Sequence, residues 1–387
     1  MFLNAPGDRT LPLCYSMNVH PGEGLDEVLA AIRDTVIPLK ARLGVEGDFA
    51  VGLRLSNRAA EECERRAEEL KGLLDSNGLV AVTVNAFPYG DFHGEPVKAE
   101  VYRPDWTDAS RAVYSLRAAV ALAACNARRG SRLSISTVPL SFKAFRPSLN
   151  AVTHRLLDMV NMFQAVERKS GVRVCLALEP EPLCLLETAR ETVAYWKDHL
   201  MPAARATYGR GAEELVRNYL GVCLDTCHHA VRWEGSDEAL ALYREAEIPV
   251  PKIQLSSALA ADTVADLEPF AEPRYLHQVV NRAGEALPDL GEGDLQGPVR
   301  CHFHVPIHKE NVAGVATTRD DMVAGLRLAW KLGATDCLEI ETYTWDVLPL
   351  REGELLDSLE AEYRFVLGAL DSPQACHAEA SGEGGSQ

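Results

Sequence analysis

The sequence predicts an α/β protein built as a (β/α)8 TIM barrel with an inserted segment before the last strand. Strand-like and helix-like segments alternate along nearly the whole chain of 387 residues, which is the pattern of a parallel sheet covered by helices. Barrels of this kind need about 250 residues and accept insertions. The hydrophobic content of 47% supports one large core. An open doubly wound sheet is the alternative fold.

Short apolar runs bounded by turn residues predict nine strands, one more than the barrel needs. The predicted strands are 14–19, 50–55, 79–87, 133–140, 172–178, 221–225, 252–256, 300–307 and 337–343. We assign 300–307 to the insertion, because it follows an irregular stretch rich in glycine and proline and not a clean helix.

Apolar residues spaced three and four apart predict the helices between these strands. The predicted helices are 25–43, 58–77, 108–129, 149–169, 188–201, 237–246, 318–332 and 355–370. Asn57 is the predicted cap of the second helix, and Thr318 and Asp321 have capping-box spacing at the start of the seventh.

The predicted domain is a single barrel over residues 14–370, with an insertion at about 258–307. Residues 1–13 are expected to be an N-terminal extension. The Ser/Gly/Glu-rich segment 371–387 is expected to be a disordered tail.

Charge and cysteine usage limit the classes of partner. The net charge of −17 argues against nucleic acid and against an anionic membrane surface. The ten cysteines are scattered without a C-x-x-C pair, which favours a reducing compartment. No run reaches the roughly 18 apolar residues of a membrane span, and the N-terminus lacks the apolar core of a signal peptide. We therefore expect a cytoplasmic protein with a small-molecule substrate. The oligomeric state is not predicted.

The segment Gly221–Ala230 carries the strongest chemical signal. Its apolar run ends in Asp225, and His228 follows three residues later. At the carboxyl end of a barrel strand, Asp and His at this spacing offer an oxygen and a nitrogen ligand to a divalent metal. The alternative is that Asp225 caps the next helix and that His228 and His229 are solvated.

Other strand ends add polar residues that would meet Asp225 and His228 at the same rim. They are Glu179, Gln254, His302, His304, Glu339 and Glu341. A carboxylate inside an apolar strand is costly unless it is paired or binds metal. Such an oxygen-rich site with one or two imidazoles suits one divalent ion of Mn²⁺, Mg²⁺, Co²⁺ or Zn²⁺.

Each candidate has a structural alternative. Glu179 could form a salt bridge with Arg54, Gln254 could hydrogen-bond to the barrel backbone, and either His302 or His304 could be a core histidine. Glu181 and Glu187 are predicted to be loop and helix-start residues. Candidates for substrate contacts or for lining the pocket are His20, Arg54, Asn85, His93, Ser136, Lys143 and His302. No G-x-G-x-x-G or Walker motif is present, so no nucleotide cofactor is expected.

The order Glu179, Asp225-Thr226-Cys227-His228, a polar residue on the seventh strand and Glu341 resembles the xylose isomerase-like barrel superfamily of sugar isomerases, epimerases and endonuclease IV. The resemblance implies that one divalent metal is bound by Glu179, Asp225, Gln254 and Glu341. Gln254 departs from the pattern, because these families usually have histidine there.

Several segments are more closely similar to the EboE family of metabolite traffic proteins. They are 18–23, 52–57, 87–90, 178–182, 254–258, 302–306 and 341–346. This resemblance implies a role in making or delivering a small-molecule precursor for export, with other proteins of the ebo cluster as partners.

Two functions follow as hypotheses. The first is a metal-dependent isomerase or epimerase, in which Glu179 and Glu341 move the proton and His304, or His20, assists at oxygen. The second is a non-catalytic carrier that uses the same pocket. A DNA-repair endonuclease is disfavoured by the negative charge and by Arg54 and Asn85, which stand where that family needs histidines.

Overall fold

The computed structural model describes residues 1–90, 93, 97–126, 132–349 and 353–371. The predicted tail therefore lies outside the described residues, apart from the end of the last helix. Across the described part, no helix has both the length and the apolar character needed to cross a membrane.

Eight parallel strands form the barrel, and six further strands form a separate antiparallel sheet. The strands are β1 Phe2–Ala5, β2 Arg9–Tyr15, β3 Phe49–Arg54, β4 Leu79–Asn85, β5 Arg132–Thr137, β6 Arg173–Leu178, β7 Leu220–Asp225, β8 Lys252–Leu255, β9 Ser257–Ala261, β10 Val279–Asn281, β11 Ala286–Leu287, β12 Val299–Val305, β13 Asn311–Val312, β14 Val315–Thr317 and β15 Leu338–Ile340.

The helices fill the connections between the barrel strands. They are α1 Leu25–Ala31, α2 Ile37–Arg42, α3 Asn57–Ser76, α4 Ala109–Cys125, α5 Leu149–Ser170, α6 Ala189–Tyr195, α7 Met201–Tyr208, α8 Ala212–Tyr219, α9 Thr226–Val231, α10 Ser236–Glu245, α11 Arg319–Leu332 and α12 Leu355–Asp371. Single π-helical turns join α1 to α2 and α6 to α7.

The predicted barrel is confirmed. Its strands follow the order β2-β15-β8-β7-β6-β5-β4-β3, and a parallel bridge between Ser16 and Gly52 joins the two ends of the sheet. A side chain at Gly52 would collide with the Glu339 carboxylate and with the backbone of Tyr15. Glycine at this position therefore allows β3 to approach the end of β2 closely.

The insertion before the last strand is also confirmed, and it has its own small core. It follows β8 and forms the antiparallel sheet β11-β10-β12-β9-β14-β13. Cys301, Phe303 and Val305 of β12 pack into the core of this sheet. Because side chains alternate along a strand, His302 and His304 point to the other face, toward the barrel mouth.

Several element boundaries and caps differ from the sequence predictions, and three of these differences have a clear physical cause. The first barrel strand ends at Tyr15 and not at residue 19, because Ser16 caps a 3-10 turn over Met17–Val19. The cap of α3 is Ser56, whose hydroxyl accepts the backbone N–H of Ala59. Thr318 makes no capping box, because its hydroxyl accepts the backbone N–H of Ala258.

Further elements were not predicted, among them the helices α8 and α9 and the strands of the insertion other than β12. The short helix α8 precedes β7, and the segment predicted as an N-terminal extension contains the hairpin β1–β2, in which β1 runs antiparallel to β2. The hairpin signal was missed because the turn after Ala5 lacks the flanking alternation of apolar residues that marks a hairpin in sequence.

A buried ion pair occupies the barrel interior below the mouth. Lys252 of β8 and Glu339 of β15 lie 2.6 Å apart, and both side chains are fully buried. Asn85 bridges them, because its amide donates to Glu339 while its carbonyl oxygen accepts from Lys252. This network fills the layer beneath the candidate site.

Candidate functional site

A cavity of about 50 Å³ opens at the carboxyl ends of the barrel strands. One side is acidic and imidazole-rich, formed by Glu179, Glu181, His228, His302, His304 and Glu341. The opposite side is apolar and aromatic, formed by Phe87, Pro88, Val97, Val101, Tyr102, Tyr275, Leu276 and Tyr343. Asn18 also lines the cavity, and none of these described lining residues is a lysine or an arginine.

Asp225 at the end of β7 serves as a helix cap and also forms a close group of possible metal ligands with His228 and His304. Its Oδ1 accepts the backbone N–H of His228 at 3.0 Å and the hydroxyl of Ser256 at 2.7 Å. Its Oδ2 is buried and has no hydrogen-bond partner among the described residues. An unpartnered buried carboxylate oxygen is costly, so a cation or a bound ligand at this oxygen would stabilise the site.

Three histidines from two parts of the chain meet beside Asp225, and we call them the imidazole cluster. His228 comes from α9, and His302 and His304 come from β12. The Nε2 atom of His302 lies 3.1 Å from that of His228 and 3.0 Å from that of His304. All three side chains are buried.

The other ring nitrogen of each histidine faces an oxygen that has no proton to donate. His228 Nδ1 donates to the Pro180 carbonyl at 3.1 Å, and His304 Nδ1 donates to the Glu341 carbonyl at 3.3 Å. His302 Nδ1 donates to the side-chain oxygen of Gln278 at 2.7 Å. These contacts fix the protonated nitrogen at Nδ1 and leave each Nε2 as a lone-pair donor.

Burial lowers the pKa of all three histidines. The pKa values of His228 and His302 are well below the usual range, because burial disfavours the charged ring and neighbouring histidines add to the effect. The pKa of His304 is lowered by burial as well. Neutral imidazole is the form that binds metals.

Two of the predicted catalytic carboxylates face the same cavity. Burial raises the pKa of Glu179 well above its usual value, and the charges of Glu341 and Asp225 raise it further. Burial also raises the pKa of Glu341, with Glu339 as the next cause. Glu179 Oε2 has no partner among the described residues, whereas the oxygens of Glu341 accept from Asn18 and Gln254.

Gln254 lies at the site, but it supports Glu341 and does not present an oxygen to the cavity. Its side-chain nitrogen donates to Glu341 at 2.5 Å and to Asn85 at 3.1 Å. Its side-chain oxygen accepts the thiol of Cys223 at 3.1 Å. The alternative of a hydrogen bond to barrel backbone is not what the structure has, because its partners are side chains.

The predicted pocket residues Arg54, Asn85 and Lys143 have structural partners. Arg54 forms an ion pair with Glu23 at 2.7 Å, so it is not the partner of Glu179. Asn85 belongs to the network of Lys252 in the barrel interior. Lys143 forms an ion pair with Glu187, which Arg232 also approaches at 3.1 Å. None of the three lines the cavity described above.

The remaining predicted contacts, Ser136, His20 and His93, have hydrogen-bond partners within the protein. Ser136 donates its hydroxyl to Asn85, in the barrel interior. His20 Nε2 is 2.8 Å from the Tyr15 hydroxyl, and burial lowers its pKa to about 4. His93 is buried between the Asn18 carbonyl and the Tyr275 hydroxyl.

Sequence reasoning missed several residues that shape the site. Glu181, expected to be a loop residue, accepts the Tyr102 hydroxyl at 2.6 Å and lies 3.5 Å from His302 Nδ1. Burial raises its pKa to about 8. The feature of the sequence that could have identified Glu181 as a site residue is its position two residues after Glu179. Gln278 and Asn18, which orient His302 and Glu341, carried no signal in the sequence, because their roles depend on contacts between distant segments.

Three groups of described residues have ligand atoms close enough to share a metal ion. They are Asp225 with His228 and His304, Glu181 with His228 and His302, and Cys227 with His302 and His304, and within each group the ligand atoms lie within 4.8 Å of one another. Glu179 and Glu341 are absent from these groups, so their role as ligands stays a prediction. A divalent ion fits this donor set, since it would satisfy Asp225 Oδ2 and the converging Nε2 atoms.

The chain aligns over most of its length with several solved structures. A D-tagatose 3-epimerase-like protein aligns over 93% of this chain and 98% of its own, at 11% identity and a TM-score of 0.50. The IolI protein with a bound zinc atom covers 94% and 100% at 12% identity, with a TM-score of 0.47. A xylose isomerase domain protein from Alicyclobacillus acidocaldarius covers 93% and 98% at 14% identity, with a TM-score of 0.45.

The chain has the xylose isomerase-like TIM-barrel fold. At 11% identity, the likeness to the D-tagatose 3-epimerase-like protein shows the fold and nothing about the reaction. Neither models of protein families nor the curated proteins give a match to this sequence.

Proposed function

We propose that this protein catalyses a metal-assisted proton transfer of the isomerase or epimerase type on a small hydroxy-carbonyl metabolite. The observation that carries the proposal is the pair of buried carboxylates, Glu179 and Glu341, which face one cavity beside the imidazole cluster. A divalent ion bound there would supply positive charge to the substrate oxygens and so acidify the neighbouring C–H bond.

The two carboxylates are suited to different halves of the transfer. Glu341 is oriented by the amides of Asn18 and Gln254, so its carboxylate is fixed in one position over the cavity. Glu179 keeps one buried oxygen without a partner among the described residues. Burial and neighbouring carboxylates raise the pKa of both groups, to about 8 for Glu341, so each accepts a proton more readily than an exposed carboxylate does.

The cavity wall supports a neutral substrate. A phosphate group would need a lysine, an arginine or a helix N-terminus directed at it, and the described lining residues include no lysine or arginine. The aromatic side formed by Tyr102, Tyr275 and Tyr343 would pack against the carbon skeleton of the substrate. The substrate class is therefore an unphosphorylated ketose or hydroxyketone with an apolar face.

The wider role rests on sequence segments alone. The similarity to EboE proteins supports a role in making or delivering a small-molecule precursor, with other proteins of the ebo cluster as partners. Gln254, which occupies a predicted metal-ligand position without presenting an oxygen, favours the alternative of a non-catalytic carrier. The two functions differ in one property, because only the enzyme exchanges a carbon-bound proton.

Deuterium exchange tests the function. The Zn²⁺-loaded protein is incubated in D₂O with a panel of neutral compounds from dihydroxyacetone to D-fructose, and label at carbon is followed by NMR. We expect exchange with at least one compound, and at least about 100-fold less with Glu341→Gln or Glu179→Gln.

The control is Glu167→Gln, which removes a surface carboxylate that pairs with Arg173 far along α5. Exchange in this variant should equal that of the unaltered protein. Binding of a panel compound without any exchange would replace the proposal by the carrier function.

A further inference from the structure

The hydrogen bonds of the imidazole cluster indicate which ring nitrogens are free to bind a metal ion. Backbone carbonyl oxygens can only accept hydrogen bonds. The backbone carbonyl of Pro180 therefore holds the ring proton of His228 at Nδ1, and that of Glu341 holds the ring proton of His304 at Nδ1. Gln278 acts in the same way on His302, because its own amide nitrogen donates to the Pro182 carbonyl and its oxygen is left facing the ring.

The consequence is that the Nε2 lone pair of His302 faces the Nε2 lone pairs of both His228 and His304. With each proton at Nδ1, no hydrogen is available between Nε2 of His302 and its neighbours at 3.1 and 3.0 Å. Moving a proton to an Nε2 would bring that ring's Nδ1 lone pair against an acceptor oxygen. No tautomer satisfies all three rings, whereas a shared cation does.

The separations fit such a cation. Two nitrogens bound at about 2.0–2.1 Å to a tetrahedral ion lie about 3.3 Å apart, close to the observed spacing of the Nε2 atoms. Asp225 lies beside the same histidines, because its Oδ1 is 3.9 Å from His228 Nε2 and the carboxylate groups with His228 and His304. Its buried Oδ2 has no partner among the described residues, so the carboxylate has an oxygen left for an ion.

The carboxylate-rich set implied by the sequence resemblance fits less well. Gln254 directs its nitrogen, not its oxygen, toward Glu341, and a protonated amide nitrogen is not a ligand. Both oxygens of Glu341 are already hydrogen-bonded by amides. Asp225 is the one member of that set that lies in a tight group of donors.

We propose that one divalent transition-metal ion is bound by Nε2 of His228, His302 and His304 together with Asp225, so that the inserted sheet supplies two of the four ligands. Nitrogen-rich donors select Zn²⁺, Co²⁺ or a similar ion over Mg²⁺ and Ca²⁺. Glu179 and Glu341 then remain free to carry protons. This assignment deepens the proposed function and rests on its metal site.

Metal content and spectroscopy of the full-length protein test the assignment without any substrate. The protein is stripped with a chelator and dialysed against Zn²⁺, Co²⁺ or Cu²⁺. We expect one ion per chain and, for the Cu²⁺ form, nitrogen hyperfine coupling from several imidazoles in the electron paramagnetic resonance spectrum. The set Glu179, Asp225, Gln254 and Glu341 contains no imidazole, so a spectrum without nitrogen coupling overturns the proposal. Failure to bind any of the three ions overturns it too.

Variants assign the individual ligands. His302→Asn and His304→Asn should weaken Zn²⁺ binding by more than about 100-fold, since loss of a supporting residue alone costs 10–100-fold. Control variants are His154→Asn, an exposed imidazole of α5, and Cys227→Ala, a buried thiol beside the cluster. Both controls should retain the ion, as should Glu341→Gln.

Retention of Zn²⁺ by both histidine variants, with loss in Glu341→Gln, overturns the proposal. If a variant folds poorly, the Cu²⁺ spectrum of the unaltered protein still distinguishes the histidine ligand set from the carboxylate set. The outcome is also separate from the proposed function, because a protein that binds metal through three imidazoles but exchanges no proton would refute only the enzymatic reaction.

Discussion

Gln254 donates its side-chain amide to Glu341 across 2.5 Å, joining the seventh and eighth strands of the barrel. The residue that departs from the expected ligand pattern is therefore a support for the residue that we propose moves the proton. Its oxygen and nitrogen are both used by buried partners, Cys223, Asn85 and Glu341, so the amide orientation is fixed.

Replacement of Gln254 by Leu should lower stability and leave metal binding intact. The variant leaves the buried Glu341 carboxyl with one amide donor instead of two, which costs about 1–3 kcal/mol in the free energy of unfolding. Urea titration measures the loss. Gln164→Leu on the partly exposed face of α5 is the control and should change stability by less than about 0.5 kcal/mol. An unchanged midpoint for Gln254→Leu would contradict the support role.

The Lys252–Glu339 pair should behave as a coupled unit. Burial is the largest single influence and opposes the charge on Lys252, but Glu339 together with Cys223, Glu341 and Glu179 outweighs it and raises the pKa of the lysine. Lys252→Met leaves the buried carboxylate of Glu339 without its ion-pair partner. The variant should therefore lose roughly 3–5 kcal/mol in the free energy of unfolding. The double variant Lys252→Met with Glu339→Gln should cost clearly less. A double-mutant cycle by urea unfolding checks this, and additive losses would show that the two residues are not coupled.

Two glycines should respond to alanine with opposite signs. At Gly52 a side chain would collide with Glu339 and with the backbone of Tyr15, so Gly52→Ala should destabilise the barrel by about 1–3 kcal/mol. At Gly72, in the middle of α3, a side chain meets nothing within 4 Å. Gly72→Ala should stabilise the protein by about 0.5–1 kcal/mol. Thermal unfolding of both variants measures the difference, and equal shifts would refute the close approach at Gly52.

Glu362 should make stability depend on pH. Burial raises its pKa to about 7, while its Oε1 accepts from Thr342 and from the backbone of Ile307. The folded state holds a proton that the unfolded chain releases near pH 4.5. The contribution of Glu362 to the free energy of unfolding therefore falls by on the order of 3 kcal/mol as pH rises from about 4.5 to 7.

The variant Glu362→Gln keeps the acceptor and removes the titration. Relative to the unaltered protein, it should gain stability between pH 5 and pH 8, as measured by urea unfolding at each pH. The control is Glu360→Gln, which changes a partly exposed carboxylate two residues away in the same helix. Its difference in stability from the unaltered protein should be the same at pH 5 and at pH 8. If the free energies of unfolding of Glu362→Gln and of the unaltered protein differ by the same amount at every pH, the buried carboxyl does not titrate in this range.

Much of the barrel could be predicted because its signals are local. Apolar runs of strand length and helical periodicity both arise from neighbouring residues, so the eight parallel strands and most helices were found within a few residues of their ends. The extra strand was also assigned correctly to the insertion. Local signals failed where a distant partner took the capping group, as when Thr318 bonded to Ala258 and not within its own helix.

At the candidate site, the sequence by itself determined which residues were available at the strand ends, including Asp225, His228 and Glu341, and that carboxylates within apolar strands needed a partner. Only the tertiary structure decided their relationships. It brought His302 and His304 from the inserted sheet to within hydrogen-bonding distance of His228 or of each other, joined Gln254 to Glu341, and placed Arg54 and Lys143 in ion pairs elsewhere. The physical reason is that ligand and proton positions depend on distances and acceptor directions between segments far apart in the chain, which periodicity and composition do not encode.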